Sequence, residues 1–476
     1  MTALKMKRYK VASLFSGAGG LDLGFVRTGR YSVVFANEAL TPAATTYSRN
    51  FGLKLVLCNR GEEAEAQAGT VLACDVAHVS SSSLSGLDAD VVLGGPPCQD
   101  FSIVRGPSWD RRGIEVRRGR LYAHFVRALA AVQPKAFVFE NVPGLVSANR
   151  GLAYKAILED FTELKLRWEE VRKAIACNSS SNSRMEGYEI AFSDVVDFSI
   201  LGVPQKRERL IIIGVRKDLV KRDLGIFWSL KGKIDEVLSG RRWLFRRYPL
   251  TPIEVFEGQR LDMLEDAYRE VMKKWEDVWE EVGTDRACEW KQKVWDKLTF
   301  SIIEDYKLAN SIKQSGGNEL EEALKQHEDV LRELGYCGRP VYSIRPPDST
   351  AELPKEDAAV VERMKRIPPD ENHEFVRGTE WEVEGKGISL VYRRIHPLKP
   401  SYTIVAYGGG GTHGYHYDRG RATLTLRERA RLQTFPDSFL FFGGKSEVRA
   451  QIGEAVPPLV AQRIAEALAE ALDSLA

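Results

Sequence analysis

Short apolar and β-branched runs alternate with helical stretches along the first half of the chain. These runs predict buried strands at residues 10–15, 31–38, 89–95, 135–141 and 209–215. Between two of them, LYAHFVRALAAV (121–132) has the apolar spacing of a helix. Strands that alternate with helices form a parallel sheet with helices on both faces. The pattern therefore predicts an α/β fold with a doubly wound, mostly parallel sheet.

The pattern changes after about residue 217. Apolar residues at three-four spacing predict one helix over 261–282, a second over 290–302 and a third over 320–334. We interpret this stretch as a helical insertion at about 258–335 that packs on its own domain. A partner-binding coiled coil is the alternative, and we disfavour it because the heptads are few. The last eighteen residues predict an amphipathic helix that follows two prolines.

Length, charge and cysteine content limit the possible classes of protein. A chain of 476 residues is long enough for two domains. The net charge of +2 means that any nucleic-acid contact must come from local clusters of arginine and lysine. Six scattered cysteines without a C-x-x-C pair predict neither a disulfide framework nor a zinc site, and favour a reducing compartment. No apolar run is long enough to predict a membrane span.

A glycine cluster, LFSGAGGLDLG (14–24), follows the first predicted strand and opens a helix. Glycines there allow a tight turn and the close approach of a ligand, although Asp22 stands where dinucleotide-binding motifs have a third glycine. Glu38 ends the second predicted strand, where a carboxylate accepts hydrogen bonds from ribose hydroxyls. Asp75 ends a third strand and is a candidate partner for an adenine amino group. Together they predict an adenosine-containing cofactor; the alternative is merely a tight turn.

A second motif, GGPPCQDFS (94–102), holds Cys98 at the carboxyl edge of the sheet. The prolines fix the backbone, as a nucleophile requires, whereas a buried structural cysteine is the alternative. Glu140, at the next strand end, is expected to have a raised pKa in a crevice and to donate a proton to a ring nitrogen; a solvent-exposed glutamate is the alternative. Arg207 and Arg209 alternate, so we expect both on one side of their strand, favouring a thiolate.

In order and spacing, these segments resemble the DNA cytosine-5 methyltransferase family. RRGRL (117–121), RERARLQTFPDSF (427–439) and QIGEAVPP (451–458) match further motifs of that family. The resemblance implies a Rossmann-like methyltransferase fold and methyl transfer from S-adenosylmethionine to C5 of a cytosine flipped out of duplex DNA. It also implies that Cys98 attacks C6 and that Glu140 donates to N3. Arg209, with Arg207, would hold the O2 side of the ring.

The resemblance also implies a set of cofactor contacts. They would come from Phe15, Gly17, Gly19, Gly20, Leu21, Glu38, Asp75, Val76, Pro97, Leu121, Glu454 and Ala455. One position departs from the family pattern, because Glu454 replaces the usual asparagine of the last motif. Our hypothesis is that this change alters cofactor affinity, since a glutamate attracts the cofactor's ammonium group and repels its carboxylate.

Target recognition is expected in residues 217–439, inserted in a catalytic domain formed by 1–216 and 440–476. Family resemblance implies that the loop at 105–120 closes over DNA, and Gln99, Ser102 and Arg105 are expected to contact it. In the inserted region, four arginines are candidates for contacts with phosphates or guanine edges: Arg393, Arg394, Arg419 and Arg421. The Gly408–Gly411 run allows close backbone approach. His413 and His416 have metal-ligand spacing without a nearby third ligand, so no metal is predicted.

The expected biological role is modification in a restriction–modification system. We expect a stand-alone, monomeric prokaryotic enzyme of the cytoplasm, with double-stranded DNA as its partner and no membrane. A cognate restriction endonuclease is expected in the same system without stable binding. Two alternatives remain open, an RNA cytosine-5 methyltransferase and a non-catalytic DNA-binding protein on a methyltransferase scaffold. A nicotinamide oxidoreductase explains the glycines but neither Pro-Cys-Gln nor Glu-Asn-Val.

Overall fold

The structure is a computed structural model, which describes residues 7–59, 62–97, 121–166, 186–313, 318–383, 391–407, 412 and 414–474. The chain divides into two compact units. The first comprises Met1–Asp197, Glu208–Arg241 and Ala455–Ala476, and the second Phe198–Arg207 and Arg242–Glu454. Residues 217–241 therefore lie in the first unit and residues 440–454 in the second, whereas the predicted catalytic domain comprised 1–216 and 440–476.

The first unit is built on an eight-stranded sheet with strand order β3-β4-β2-β1-β5-β6-β8-β7. Its strands are β1 (Tyr9–Leu14), β2 (Tyr31–Glu38), β3 (Lys54–Leu57), β4 (Thr70–Ala73), β5 (Val91–Gly94), β6 (Ala136–Asn141), β7 (Tyr188–Asp197) and β8 (Glu208–Arg216). Strands β1 to β6 pair in parallel, and β8 runs antiparallel to β6 and β7. The predicted doubly wound, mostly parallel sheet is confirmed. The two strands that were not predicted, β3 and β7, lie at the edges of the sheet.

Nine helices are described in the first unit. They are α1 (Gly20–Arg27), α2 (Thr41–Phe51), α3 (Ser81–Ser85), α4 (Leu121–Val132), α5 (Gly144–Ser147), α6 (Leu152–Glu163), α7 (Lys217–Arg222), α8 (Leu224–Leu238) and α18 (Pro458–Ser474). The predicted helix at 121–132 and the predicted C-terminal helix are both confirmed. The latter, α18, packs against α1, and Gly24 makes this close approach possible because a β-carbon there would collide with Ala461. The Tyr31 hydroxyl donates to the Ala465 carbonyl at 2.9 Å, which ties α18 to β2.

An aromatic core lies between the sheet and helices α4 and α6. Phe125, Phe137, Phe139 and Phe161 are fully buried, and their ring centroids lie 4.8–5.9 Å apart in tilted and edge-to-face arrangements. Burying each such ring contributes roughly 2 kcal/mol or more to folding. This packing supports β5 and β6, the two strands whose carboxyl ends carry the candidate chemistry.

The second unit is mainly helical in its described part. Its helices are α9 (Pro252–Glu257), α10 (Glu265–Lys273), α11 (Val278–Val282), α12 (Asp285–Lys293), α13 (Ile302–Ala309), α14 (Glu319–Leu334), α15 (Ala358–Met364), α16 (Leu426–Leu432) and α17 (Lys445–Glu454). The predicted helix at 320–334 is confirmed as α14. The predicted continuous helices at 261–282 and 290–302 are wrong. The first breaks at Asp277, which has a φ of 69°, and α12 ends at Lys293.

Buried ion pairs hold the second unit together. Arg427 donates to Asp348 at 2.8 Å, and His327 meets Glu254 at 2.9 Å; all four side chains are at most 2% exposed. A buried charge without its partner is costly, so these pairs specify how their segments pack. Among the described residues of either unit, no helix combines the length and the apolar composition that crossing a bilayer requires.

Candidate active site

The carboxyl ends of β5 and β6 lie side by side, because Gly94 pairs with Phe139 in parallel register. The Asn141 amide donates to the Pro96 carbonyl at 3.2 Å, so β6 holds the backbone that leads to Cys98. Cys98 itself lies outside the described residues, as do Gln99, Ser102, Arg105 and the loop at 105–120. The contribution of Asn141 was not predicted, although it follows Glu140 directly in the Glu-Asn-Val motif.

Glu140 and Arg209 form an ion pair at the same edge of the sheet. The distance from Arg209 Nε to Glu140 Oε1 is 3.0 Å, and both side chains are largely buried. Gly95 makes room for the carboxylate, since a β-carbon at that position would lie 2.9 Å from Glu140 Oε2. Burial lowers the pKa of Arg209, and the charge of Glu140 opposes that shift. The pair fixes the Glu140 carboxyl at the sheet edge, and its predicted role as a proton donor stays a prediction.

Arg207 and Arg209 differ in their partners, and their placement on one side of the strand stays a prediction. Arg207 precedes the first residue of β8 and is fully buried in the second unit. Its guanidinium donates to the carbonyl of Gly453 at 2.8 Å and to that of Ile404 at 3.3 Å. These two bonds join segments of the second unit that are distant in the sequence.

Glu38 holds the glycine loop between β1 and α1. Its carboxylate accepts the Gly17 N–H at 2.8 Å and the Leu40 N–H at 2.9 Å. Burial raises the pKa of Glu38, and these backbone donors oppose the rise. Gly17 and Gly19 have φ values of 54° and 93°, in the left-handed region that glycine adopts without strain. The residue proposed for a ribose contact is therefore also the residue that fixes the loop.

Asp75 lies two residues after the end of β4 and directly follows Cys74, which forms an unexpected disulfide. Its carboxylate accepts the Ala77 N–H at 2.9 Å and begins a short 3-10 turn. The preceding Cys74 is joined to Cys58, with Cα atoms 5.5 Å apart, so the prediction that the cysteines form no disulfide is wrong. The Asn37 amide donates to the Cys74 carbonyl at 3.0 Å and was also not predicted. The two cysteines meet because β3 and β4 are neighbours in the sheet.

The remaining cofactor candidates fall in three places. Phe15, with a φ of 54°, Gly20 and Leu21 belong to the glycine loop and the start of α1, and Val76 is buried beside Asp75. Pro97 is exposed after β5, and Leu121 is the first residue of α4. Glu454 is exposed at the end of α17 in the second unit, whereas Ala455 begins the last segment of the first unit.

The four arginines predicted to contact DNA differ in their surroundings. Arg394 is fully buried and donates to main-chain carbonyls, among them that of Ile367 at 2.6 Å, and its guanidinium lies 4.8 Å from the Trp275 ring centroid. Burial lowers the pKa of Arg394 to about 9. A DNA contact by Arg394 is therefore excluded in this structure. Arg419 pairs with Glu281, and Arg421 with Glu428 at 2.9 Å.

Arg393 differs from the adjacent Arg394 in its exposure and its contacts. It is partly exposed, and its guanidinium stacks on the ring of Tyr402.

His416 is buried, burial lowers its pKa well below the usual range, and its Nδ1 accepts the Asp418 N–H at 3.0 Å. The Gly408–Gly411 run and His413 lie outside the described residues. In the described part of the chain, no cluster of three or more metal-ligating side chains occurs.

Glycine-loop geometry fits a nucleoside cofactor. The buried Ser16 hydroxyl in this loop has no hydrogen-bond partner within the described ranges. A buried polar atom of this kind needs a partner, which an ordered water or a bound ligand supplies. The loop backbone, Glu38 and Asp75 lie at the carboxyl ends of β1, β2 and β4, the edge at which doubly wound sheets bind ligands.

Known proteins match nearly the whole chain. The model of the C-5 cytosine-specific DNA methylase family matches residues 9–470. The chain is 72% identical over 470 residues to the DNA (cytosine-5-)-methyltransferase M.ApeKI of Aeropyrum pernix, covering 99% of this chain and 100% of that protein. It is 31% identical over 449 residues to the type II methyltransferase M.NgoFVII of Neisseria gonorrhoeae, covering 94% of this chain and 83% of that protein.

A solved structure supports the fold. The crystal structure of a putative DNA modification methyltransferase encoded within a prophage of E. coli matches with a TM-score of 0.53 and 23% identity, covering 98% of this chain and 99% of that one.

Proposed function

Since this chain belongs to the C-5 cytosine-specific DNA methylase family and is a DNA cytosine-5 methyltransferase, we propose that Cys98, Glu140 and Arg209 carry its reaction. The observation that carries this assignment is the Glu140–Arg209 ion pair of 3.0 Å. The pair lies at the sheet edge where Asn141 holds the backbone leading to Cys98.

The proposed chemistry follows the order of bonds made and broken. The Cys98 thiolate adds to C6 of the cytosine, and the electron pair of the C5–C6 bond becomes available at C5. Arg209 faces the O2 side of the ring and stabilises the negative charge that develops there, while the protonated Glu140 carboxyl donates to N3. After C5 gains a methyl group, loss of the C5 proton and breakage of the C6–S bond restore the thiolate and release 5-methylcytosine.

S-Adenosylmethionine is the proposed methyl donor, and its sulfonium group supplies an electrophilic methyl when it is bound. We assign its adenosine to the edge formed by Glu38 and Asp75, and its amino-acid end to the glycine loop with Gly17 and Gly19. Gly20, Phe15, Leu21, Val76, Pro97 and Leu121 complete the proposed lining, and Glu454 with Ala455 is assigned to the amino-acid end.

The second unit is the proposed target-recognition domain. Arg393 is the strongest candidate for DNA contact among the four arginines, because it is partly exposed and makes a stacking contact rather than an ion pair. We assign the enzyme to the modification half of a restriction–modification system, acting on duplex DNA as a monomer. Its endonuclease partner would recognise the same sequence without binding the methyltransferase.

The test is methylation of genomic DNA that lacks 5-methylcytosine, read by bisulfite sequencing. We expect methylation at one short sequence, which Cys98→Ser abolishes and Glu140→Gln reduces by about a hundredfold. Cys337→Ser is the matched control, since Cys337 is a free, exposed cysteine outside the proposed site. Full activity of Cys98→Ser would remove the nucleophile assignment. Labelling of RNA and not of DNA would reassign the substrate.

A further inference from the structure

Asp22 is a buried carboxyl group that the proposed reaction does not use. It lies in the first turn of α1, directly after the glycine loop, and is 1% exposed. By strict distance and angle neither carboxylate oxygen has a hydrogen-bond partner among the described residues, although the Ser13 and Tyr47 hydroxyls and the backbone N–H of Asp22 lie close enough to favour its ionised form. A buried carboxylate that is so weakly paired is costly.

Within the part of the chain that the structure describes, no positively charged side chain acts on Asp22 to offset its charge. The hydroxyls of Ser13, on β1, and Tyr47, on α2, lie beside the carboxyl and favour its ionised form, but burial outweighs them and raises the pKa of Asp22 to about 6. Tyr47 is the titratable group that faces it from α2. Glu38, from β2, binds the loop through Gly17 and does not face Asp22.

The position of Asp22 is fixed against the loop. Ser13 and Asp22 flank the loop on its two sides along the chain, and both face Tyr47. Tyr47 also packs against the loop itself, since a β-carbon at Gly19 would collide with its ring and with that of Phe51. The Tyr47 and Phe51 rings are stacked with centroids 4.2 Å apart. Asp22 therefore places its charge directly behind the loop assigned to the cofactor's amino-acid end.

We propose that Asp22 makes the cofactor site prefer the cationic methyl donor over the neutral demethylated product, by holding a negative charge behind the glycine loop. This inference rests on the proposed cofactor site. The donor carries a sulfonium charge that the product, a thioether, lacks, while the amino and carboxyl groups of the two are the same. In a poorly hydrated site, the charge of Asp22 therefore attracts the sulfonium of the donor and has no such effect on the thioether of the product. The product should then dissociate more readily once the methyl is transferred.

Proton linkage makes the proposal measurable. A bound cation stabilises ionised Asp22, so donor binding lowers the pKa of Asp22 and releases a proton near its free-enzyme pKa of about 6. Donor affinity is then full above that pH and falls as the pH drops below it. Product affinity stays nearly constant over the same range, because a neutral thioether does not change the ionisation of Asp22. Each unit by which the donor lowers the pKa corresponds to about a tenfold change in affinity.

Isothermal titration calorimetry on the full chain gives the dissociation constants of donor and product between about pH 5 and about pH 7.5, a range that spans the Asp22 pKa. For the wild type we expect the product-to-donor ratio of dissociation constants to be about tenfold higher at the upper pH. Asp22→Asn should lower the ratio at the upper pH and remove its pH dependence. Asp88→Asn is the matched control, because Asp88 is an exposed carboxyl that pairs with Lys10. An analogue with a protonated amine in place of the sulfonium should behave as the donor does.

The outcomes separate the inference from the site on which it rests. If Asp22→Asn shows the same product-to-donor ratio of dissociation constants and the same pH dependence as the wild type, the role of Asp22 is overturned and the site assignment stands. Failure of both ligands to bind the wild type at any pH would overturn the site assignment and the inference together. If Asp22→Asn does not fold, Tyr47→Phe replaces it, since loss of a hydroxyl that favours ionisation should move the midpoint of donor affinity to higher pH. An unmoved midpoint would refute the proposal.

Discussion

The disulfide between Cys58 and Cys74 should stabilise the edge of the sheet, and the length of the loop that it closes sets the free energy of this stabilisation. Leu57 at the end of β3 pairs with Ala73 at the end of β4, so the disulfide joins the next two residues in register. The cysteines are 16 residues apart in sequence, and closing a loop of that size lowers the entropy of the unfolded chain by an equivalent of about 3 kcal/mol. We expect Cys58→Ser to lose this stabilisation of about 3 kcal/mol.

Hydrogen–deuterium exchange of the β3 and β4 amides is the assay, because it reports the free energy of local opening. A loss of about 3 kcal/mol corresponds to a protection factor lower by about a hundredfold. A dithiol reductant, which converts the disulfide to two thiols as it is itself oxidised, should produce the same loss in the wild type and none in Cys58→Ser. Cys288→Ser is the control, as Cys288 is free and exposed. Unchanged protection in Cys58→Ser would refute the reasoning.

Three further predictions concern arginine and histidine side chains. Arg209→Lys keeps the charge but loses the fork geometry, and should lower kcat/KM for methylation about a hundredfold without changing the melting temperature. Burial opposes protonation of His327, but Glu254 outweighs it and raises the His327 pKa. The urea-unfolding advantage of wild type over His327→Gln should therefore be full at acid pH and shrink as the pH rises through that pKa; a constant difference would contradict this. Arg394→Ala should cost about 3 kcal/mol in the same assay, whereas Arg393→Ala should reduce the salt dependence of DNA binding by about one phosphate contact.

Local pattern was sufficient for the central part of the fold. The parallel strands β1, β2, β5 and β6 were predicted because a strand buried on both faces is a continuous apolar run, which needs no knowledge of its neighbours. Helix α4 was predicted within its observed bounds, Leu121–Val132, for a similar reason. The edge strand β3 was missed because its residues are exposed or partly exposed and carry no such run.

In the candidate site, too, the sequence pattern placed some residues and only the tertiary structure placed others. The positions of Glu38, Glu140 and Asp75 at strand ends followed from the sequence, because parallel strands bring their carboxyl ends to one edge whatever their order. The Glu140–Arg209 pair needed the antiparallel return of β8, which places Arg209 beside β6. The bonds of Arg207 to the Gly453 and Ile404 carbonyls likewise depend on segments that are distant in the sequence.

The sequence by itself determined which segments form the sheet, which edge carries the chemistry, and the family to which the motifs belong. These properties depend on residues close together in the chain. Only the tertiary structure decided which charges are buried and what they meet. Arg393 and Arg394 are adjacent in sequence, yet one lies against a partly exposed tyrosine and the other is enclosed by distant carbonyls. Asp22 and the Cys58–Cys74 disulfide follow the same principle, since burial and pairing depend on segments that meet only when the chain folds.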